Sequence, residues 1–202
     1  MTITYQVKDN IYVNLTNRCP CACTFCLRKN GPSVHGAPNL WLEREPTLDE
    51  IIASLDGWDW TKYGECVFCG YGEPTERLKD LLAAARHMRA AHPSIKIRVN
   101  TNGLSDLIAG EPTAPLFAGL VDTLSISLNT DDEAEYLRIC RPRYGAAAYP
   151  AMLHFASEAA KVVPHVVMTV VGEPVTPLDK QERCRKLAES LGATLRIRPY
   201  EG

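Results

Sequence analysis

IYVNLTNRCPCACTFC, residues 11–26, joins an apolar, β-branched run to four cysteines crowded into eight positions. The run at 11–15 favours a strand, and the loop behind it is dense in side chains that bind metals or do redox chemistry. The same unit recurs along the chain. Strand-like runs lie at 65–69, 95–100, 121–128, 165–171 and 194–197. Between them, apolar residues recur at spacings of three and four, as on one face of a helix. Leu78, Leu81, Leu82, Ala85 and Met88 form one stripe. Tyr149, Met152, Leu153, Ala156 and Ala160 form a second. Cys184, Leu187, Ala188 and Leu191 form a third, which Gly192 closes as a left-handed cap. Thr47 and Glu50 have capping-box spacing, which predicts a helix beginning near Thr47.

Six strands alternating with helices predict an α/β fold with a parallel sheet and right-handed crossovers. Periodicity alone leaves an open doubly wound sheet and a partial barrel both standing. Either places the chemistry at the C-terminal ends of the strands. The unusual residues fall there: the four cysteines, GYGEPT at 70–75, NTNG at 100–103, SISLNT at 125–130, VGEP at 171–174 and RIRPY at 196–200.

The chain has 202 residues and no low-complexity tract or linker, so it reads as one domain over 1–202 with a real core. A net charge of −2, with both signs mixed along the chain, makes no electrostatic case for a dedicated nucleic-acid binder. There is no leader of basic then apolar residues, and no apolar run approaches the roughly 20 residues of a membrane span. The expectation is a cytoplasmic protein with no membrane association. In that reducing setting, eight cysteines point to metal binding or catalysis rather than to disulfides.

A zinc site could pair Cys23/Cys26 with Cys66/Cys69. However, CVFC lies within a strand, where residues three apart point to opposite faces. The alternative is Cys19, Cys23 and Cys26, a C-x3-C-x2-C run on a loop. Three thiolates can hold three irons of a [4Fe–4S] cluster and leave one iron open to a ligand. Cys21 breaks that spacing and is expected to project away from the cluster, or else to be a redox or substrate-contacting thiol.

The C-x3-C-x2-C motif with Phe25 before its last cysteine, followed by GYGEPT, resembles the signature of the radical S-adenosylmethionine (SAM) superfamily. The resemblance covers the whole chain and implies a (β/α)6 partial TIM-like barrel, the minimal radical SAM core. It implies a [4Fe–4S] cluster on Cys19, Cys23 and Cys26, with Phe25 beside the adenine of SAM. Gly70, Tyr71, Gly72, Glu73 and Pro74 would form the turn that receives the methionyl amino group, although Tyr71 between the glycines departs from the usual pattern. Asn100, Asn102, Ser125, Ser127 and Asn129 would hold ribose and carboxylate, and Val170 would contact adenine. It further implies reductive cleavage of SAM to a 5′-deoxyadenosyl radical, with electrons from an external flavodoxin- or ferredoxin-type reductant. NLTNRCPCACTFC, LWLEREPT, FCGYGEPT, NTNGL, VDTLSISLN and CRPRYG are more closely similar to small radical SAM proteins named for a genomic association with TatD-family nucleases. No reaction transfers from that likeness.

Other residues remain. Cys140, Arg141 and Arg143 in CRPRYG are candidate substrate-side groups, since a thiol and guanidiniums could hold a phosphate or carboxylate. Arg28 and Lys29 are expected to be solvated surface residues, or else to neutralise the cluster or touch substrate. Arg196 and Arg198 alternate with Ile197, so both are expected to point into the barrel as ligand contacts, Arg198 among the cofactor contacts. The chain ends soon after the sixth run, so a large substrate or partner (a peptide, a nucleic acid or another protein) is expected to cover the open side. Alternative readings are an activating enzyme for a partner protein and an iron–sulfur electron-transfer module.

Overall fold

Strand runs and helical stripes alternate in the computed structural model as they do in the sequence; residues 1–33, 36 and 38–200 are described. One strand was not predicted: β1 (Thr4–Val7) pairs antiparallel with β2 (Asn10–Val13) through a tight turn in which Lys8 takes φ 52°. Four residues, TYQV, are too few to display a period, and only the partner strand makes them extended. After β2 come β3 (Glu65–Phe68), β4 (Lys96–Thr101), β5 (Thr123–Ser127), β6 (His165–Val171) and β7 (Thr194–Arg198). These pair in parallel and in chain order, giving one seven-stranded sheet. The sheet forms a partial TIM-like barrel and does not close.

The helices are α1 (Leu48–Asp56), α2 (Leu78–Ala91), α3 (Ser105–Ala109), α4 (Glu133–Cys140), α5 (Ala148–Ala160) and α6 (Leu178–Ser190). Strand alternation decides what each layer is made of. Val13, Phe68, Val99, Ile126 and Met168 are fully buried and pack with Leu81, Met88, Met152 and Phe155 in one core. The alternate positions Tyr12, Cys69, Arg98, Asn100, Ser125, Thr169 and Arg196 line the lumen. The apolar core therefore lies between sheet and helices, and the lumen is left for a ligand.

The predicted helix ends form as their residues dictate. Thr47 Oγ1 accepts from Glu50 N–H at 3.2 Å, and the Glu50 carboxylate accepts from Thr47 N–H at 2.8 Å. Gly192, at φ 77°, lets the chain turn back so that Ala193 N–H reaches Ala188 C=O at 3.0 Å. Among the described residues, no helix is long and apolar enough to cross a membrane.

Candidate functional site

At the C-terminal ends of the strands the lumen opens into a cavity of about 630 Å³. Cys19, Cys23 and Cys26 line it, together with Phe25, Gly70–Glu73, Asn100, Asn102, Ser125, Ser127, Asn129 and Arg198. With Thr169 and Val171 of β6, residues from six strand ends meet in one chamber.

Main-chain hydrogen bonds tie the cysteine loop to the end of α4 and the connection after it. Ala22 N–H donates to Cys140 C=O at 3.0 Å, Thr24 N–H to Ile139 C=O at 2.8 Å and Arg143 N–H to Pro20 C=O at 2.8 Å. Cys21 pairs with Pro142 as a single β-bridge. This corrects the reading in which Cys21 projects away: it is 6% exposed and turned inward between Cys19 and Cys23, because the bridge to the 140–145 connection fixes its direction. Hydrogen bonds from the Cys140 and Cys21 thiols hold the Cys23 pKa down to about 4, and the Cys21 thiol likewise lowers Cys19. The same bonds push Cys21 and Cys140 up, so these two stay protonated. Asn129 Nδ2 donates to Cys140 Sγ at 3.2 Å.

In GYGEPT both glycines are dictated by closeness to β2 and its extension. A Cβ on Gly70 would lie 2.0 Å from Asn14 Oδ1, and one on Gly72 would lie 2.2 Å from Thr16 C=O. Glu73 is 4% exposed. Its carboxylate accepts from Thr75 N–H (3.2 Å), Thr75 Oγ1 (2.8 Å), Thr101 Oγ1 (2.7 Å) and Asn102 N–H (2.7 Å). Burial pushes its pKa up despite these donors. Glu73 therefore ties the turn to the end of β4. Tyr71 donates to Gly31 C=O at 2.7 Å and packs edge-on against Trp41. Pro74 is buried beneath the turn.

The other predicted residues divide. Asn100 Oδ1 and Asn129 Oδ1 are buried acceptors with no hydrogen bond among the described residues. Asn102 Oδ1 is taken by Leu104 N–H at 2.9 Å. Ser125 Oγ accepts from Arg196 at 3.0 Å. The Val170 side chain faces the core, while its neighbours Thr169 and Val171 line the chamber. Arg141 is an exposed cap of α4 at φ 48°, and Arg143 is exposed and pairs with Glu76 at 3.1 Å. Of the CRPRYG candidates, Cys140 alone lines the chamber. Arg28 clamps the loop by donating to Asn17 C=O at 3.2 Å and Tyr71 C=O at 3.4 Å. Cys66 is buried in the core and Cys69 lines the lumen, on opposite faces as the alternation requires. Arg98 and the Thr75 and Thr101 hydroxyls were missed. Arg98 was readable, because it alternates with Ile97 and Val99 as Arg196 does with Ile197.

These residues fit an iron–sulfur cluster and SAM. The donor set is thiolate, soft enough for iron–sulfur ligation, with two of its members already favouring the charged form. The two unmatched amide oxygens offer acceptors to amino and hydroxyl groups.

Residues 13–188 match the family described as the Radical SAM superfamily. The chain is 32% identical over 199 residues to a GTP 3′,8-cyclase of Mycobacterium sp. (strain KMS), covering 95% of this chain and 51% of the relative. It is 31% identical over 144 residues to the GTP 3′,8-cyclase of Corynebacterium glutamicum (strain ATCC 13032), covering 67% and 35%. The chain thus spans about half the length, or less, of these curated relatives. Among solved structures, a radical SAM methyltransferase from Sphaerobacter thermophilus matches with TM-score 0.64 and 18% identity, covering 97% of this chain and 57% of that one. Streptococcus suis SuiB bound to precursor peptide SuiA matches with TM-score 0.70 and 14% identity, covering 98% and 40%.

Proposed function

Because the chain belongs to the radical SAM superfamily, we propose that Cys19, Cys23 and Cys26 hold its [4Fe–4S] cluster and that the chamber beside them receives SAM and substrate. The enzyme class and these two cofactors are those of the family. When bound and reduced, they supply a 5′-deoxyadenosyl radical that takes hydrogen from a substrate. The residues here orient and enclose. Hydrogen bonds from the Cys140 and Cys21 thiols lower the pKa of Cys23, and one from Cys21 lowers that of Cys19. Glu73 fixes the turn whose backbone would meet the methionyl end. Asn100 and Asn129 offer amide oxygens to SAM hydroxyl or amino groups, and Phe25 offers a ring face to adenine. Holding the reacting groups together in one chamber favours hydrogen transfer over quenching.

The substrate in this reading is unidentified, and a flavodoxin- or ferredoxin-type protein of a reducing cytoplasm supplies the electron. The likeness to the TatD-associated radical SAM proteins remains part of the reading and adds no reaction. The observation that carries the proposal is the meeting of the C-x3-C-x2-C loop, the glycine-rich turn and two unmatched amide oxygens in one cavity. Anaerobic reconstitution with iron and sulfide, followed by dithionite and SAM, should give 5′-deoxyadenosine from the wild type and none from a Cys19→Ala/Cys23→Ala/Cys26→Ala variant. Equal cluster content in the two proteins would refute the ligand assignment.

A further inference from the structure

In the same lumen stand two guanidiniums that the cofactor reading does not absorb. Arg98 from β4 and Arg196 from β7 line one cavity, beside Arg198, already read as a cofactor contact. Arg98 is 9% exposed; its Nη2 pairs with Glu65 at 2.9 Å, while its buried Nε has no hydrogen-bond partner among the described residues. Arg196 is exposed to solvent. It donates to Ser125 Oγ at 3.0 Å and meets no carboxylate among the described residues. Burial, and then the charges of Arg98 and Arg198, lower the Arg196 pKa, so the guanidiniums act on one another. Glu65 is the one carboxylate paired with Arg98, and Glu73, higher in the chamber, is committed to its own four donors.

Two guanidiniums, Arg98 and Arg196, share the lumen with Glu65, and a counter-charge between them is favoured. Guanidinium donors match the paired oxygens of a carboxylate or phosphate. The depth of Arg98 is also informative. Arg98 precedes Asn100 by one inward-facing step, about 7 Å along the strand. An anion held there leaves the rest of its molecule rising past Asn100 toward the thiol loop.

We propose that Arg98 and Arg196 form an oxyanion receptor in the lumen, which seats the carboxylate or phosphate group of the substrate. This rests on the reading of the lumen as the substrate chamber.

The test uses reconstituted enzyme, with thermal unfolding followed against increasing inorganic phosphate or glutarate at ionic strength fixed by chloride. A saturable rise in Tm is expected with at least one of them. A rise with phosphate alone assigns a phosphate-bearing substrate, and a rise with glutarate alone assigns a carboxylate. In Arg196→Gln the midpoint concentration should increase about tenfold or more, since a charged hydrogen-bond donor is lost. Arg196→Lys should fall between the two. Without anion, Arg196→Gln should melt at or above wild type, because a repelling charge has gone. No saturable rise with either ion, or an unchanged midpoint in Arg196→Gln, overturns the receptor. So does an Arg196→Gln protein that melts lower with wild-type anion response, which would mark Arg196 as purely structural. The EPR change of the wild-type cluster on adding SAM is read in the same preparation. Its absence overturns the cofactor assignment, whereas its presence without an anion effect overturns only the receptor.

Discussion

Glu73 closes four donors from three residues with one buried carboxylate, and its removal should be felt first as lost stability. Glu73→Ala would strand donors of Thr75, Thr101 and Asn102, at about 2–4 kcal/mol in chemical denaturation. The pH dependence runs opposite to that of most carboxylates. Burial raises the folded pKa above its unfolded value. The contribution is therefore full below the ordinary Glu value of about 4.3 and is lost as pH rises through the folded pKa. Glu73→Gln, which cannot ionise, should lose less stability than wild type as pH rises from about 4 to about 7. A steeper loss in the variant would contradict the assignment.

Among elements, the N-terminal floor of the barrel depends on Asp122, just before β5. Its carboxylate accepts from Arg89 of α2 at 2.6 Å, Lys96 at 3.1 Å and Ile97 N–H at 2.8 Å. Its backbone joins β4 to β6 through Ile97 C=O and His165 N–H. Burial raises its pKa, but the Ile97 N–H and the two cations outweigh burial and leave it lowered. That stability is present above the unfolded value of about 3.9 and lost as pH falls through the folded one. Asp122→Asn should cost about 1.5–3 kcal/mol at neutral pH. The gap to wild type should close as acid is added, and denaturation midpoints measured across the acid range would check both statements. Asp122 was not readable in advance, because a lone acid at a strand start carries no periodic signal. The elements themselves were readable: α1 from Thr47 and Glu50, and the α6 end from Gly192.

For the whole molecule, two periods carried most of the fold. Period two separated helix-facing Val99 from lumen-facing Arg98 and Asn100, and the three-four spacing gave the major helices. What stayed hidden depends on contacts distant in sequence. β1 is extended only because β2 lies beside it, and Cys21 turns inward only because it meets Pro142. The bridge that corrects Cys21 also bears on how the protein is manufactured. Its cysteine loop is hung on the end of α4 by peptide hydrogen bonds, none of which uses a thiol. Assembly can then run in two stages, chain first and cargo second. The metal-free chain should unfold in a single cooperative transition, and it should take up iron and sulfide by simple incubation, without a cycle through denaturant. Broad, non-cooperative melting of the metal-free form would instead make iron delivery a step in folding itself.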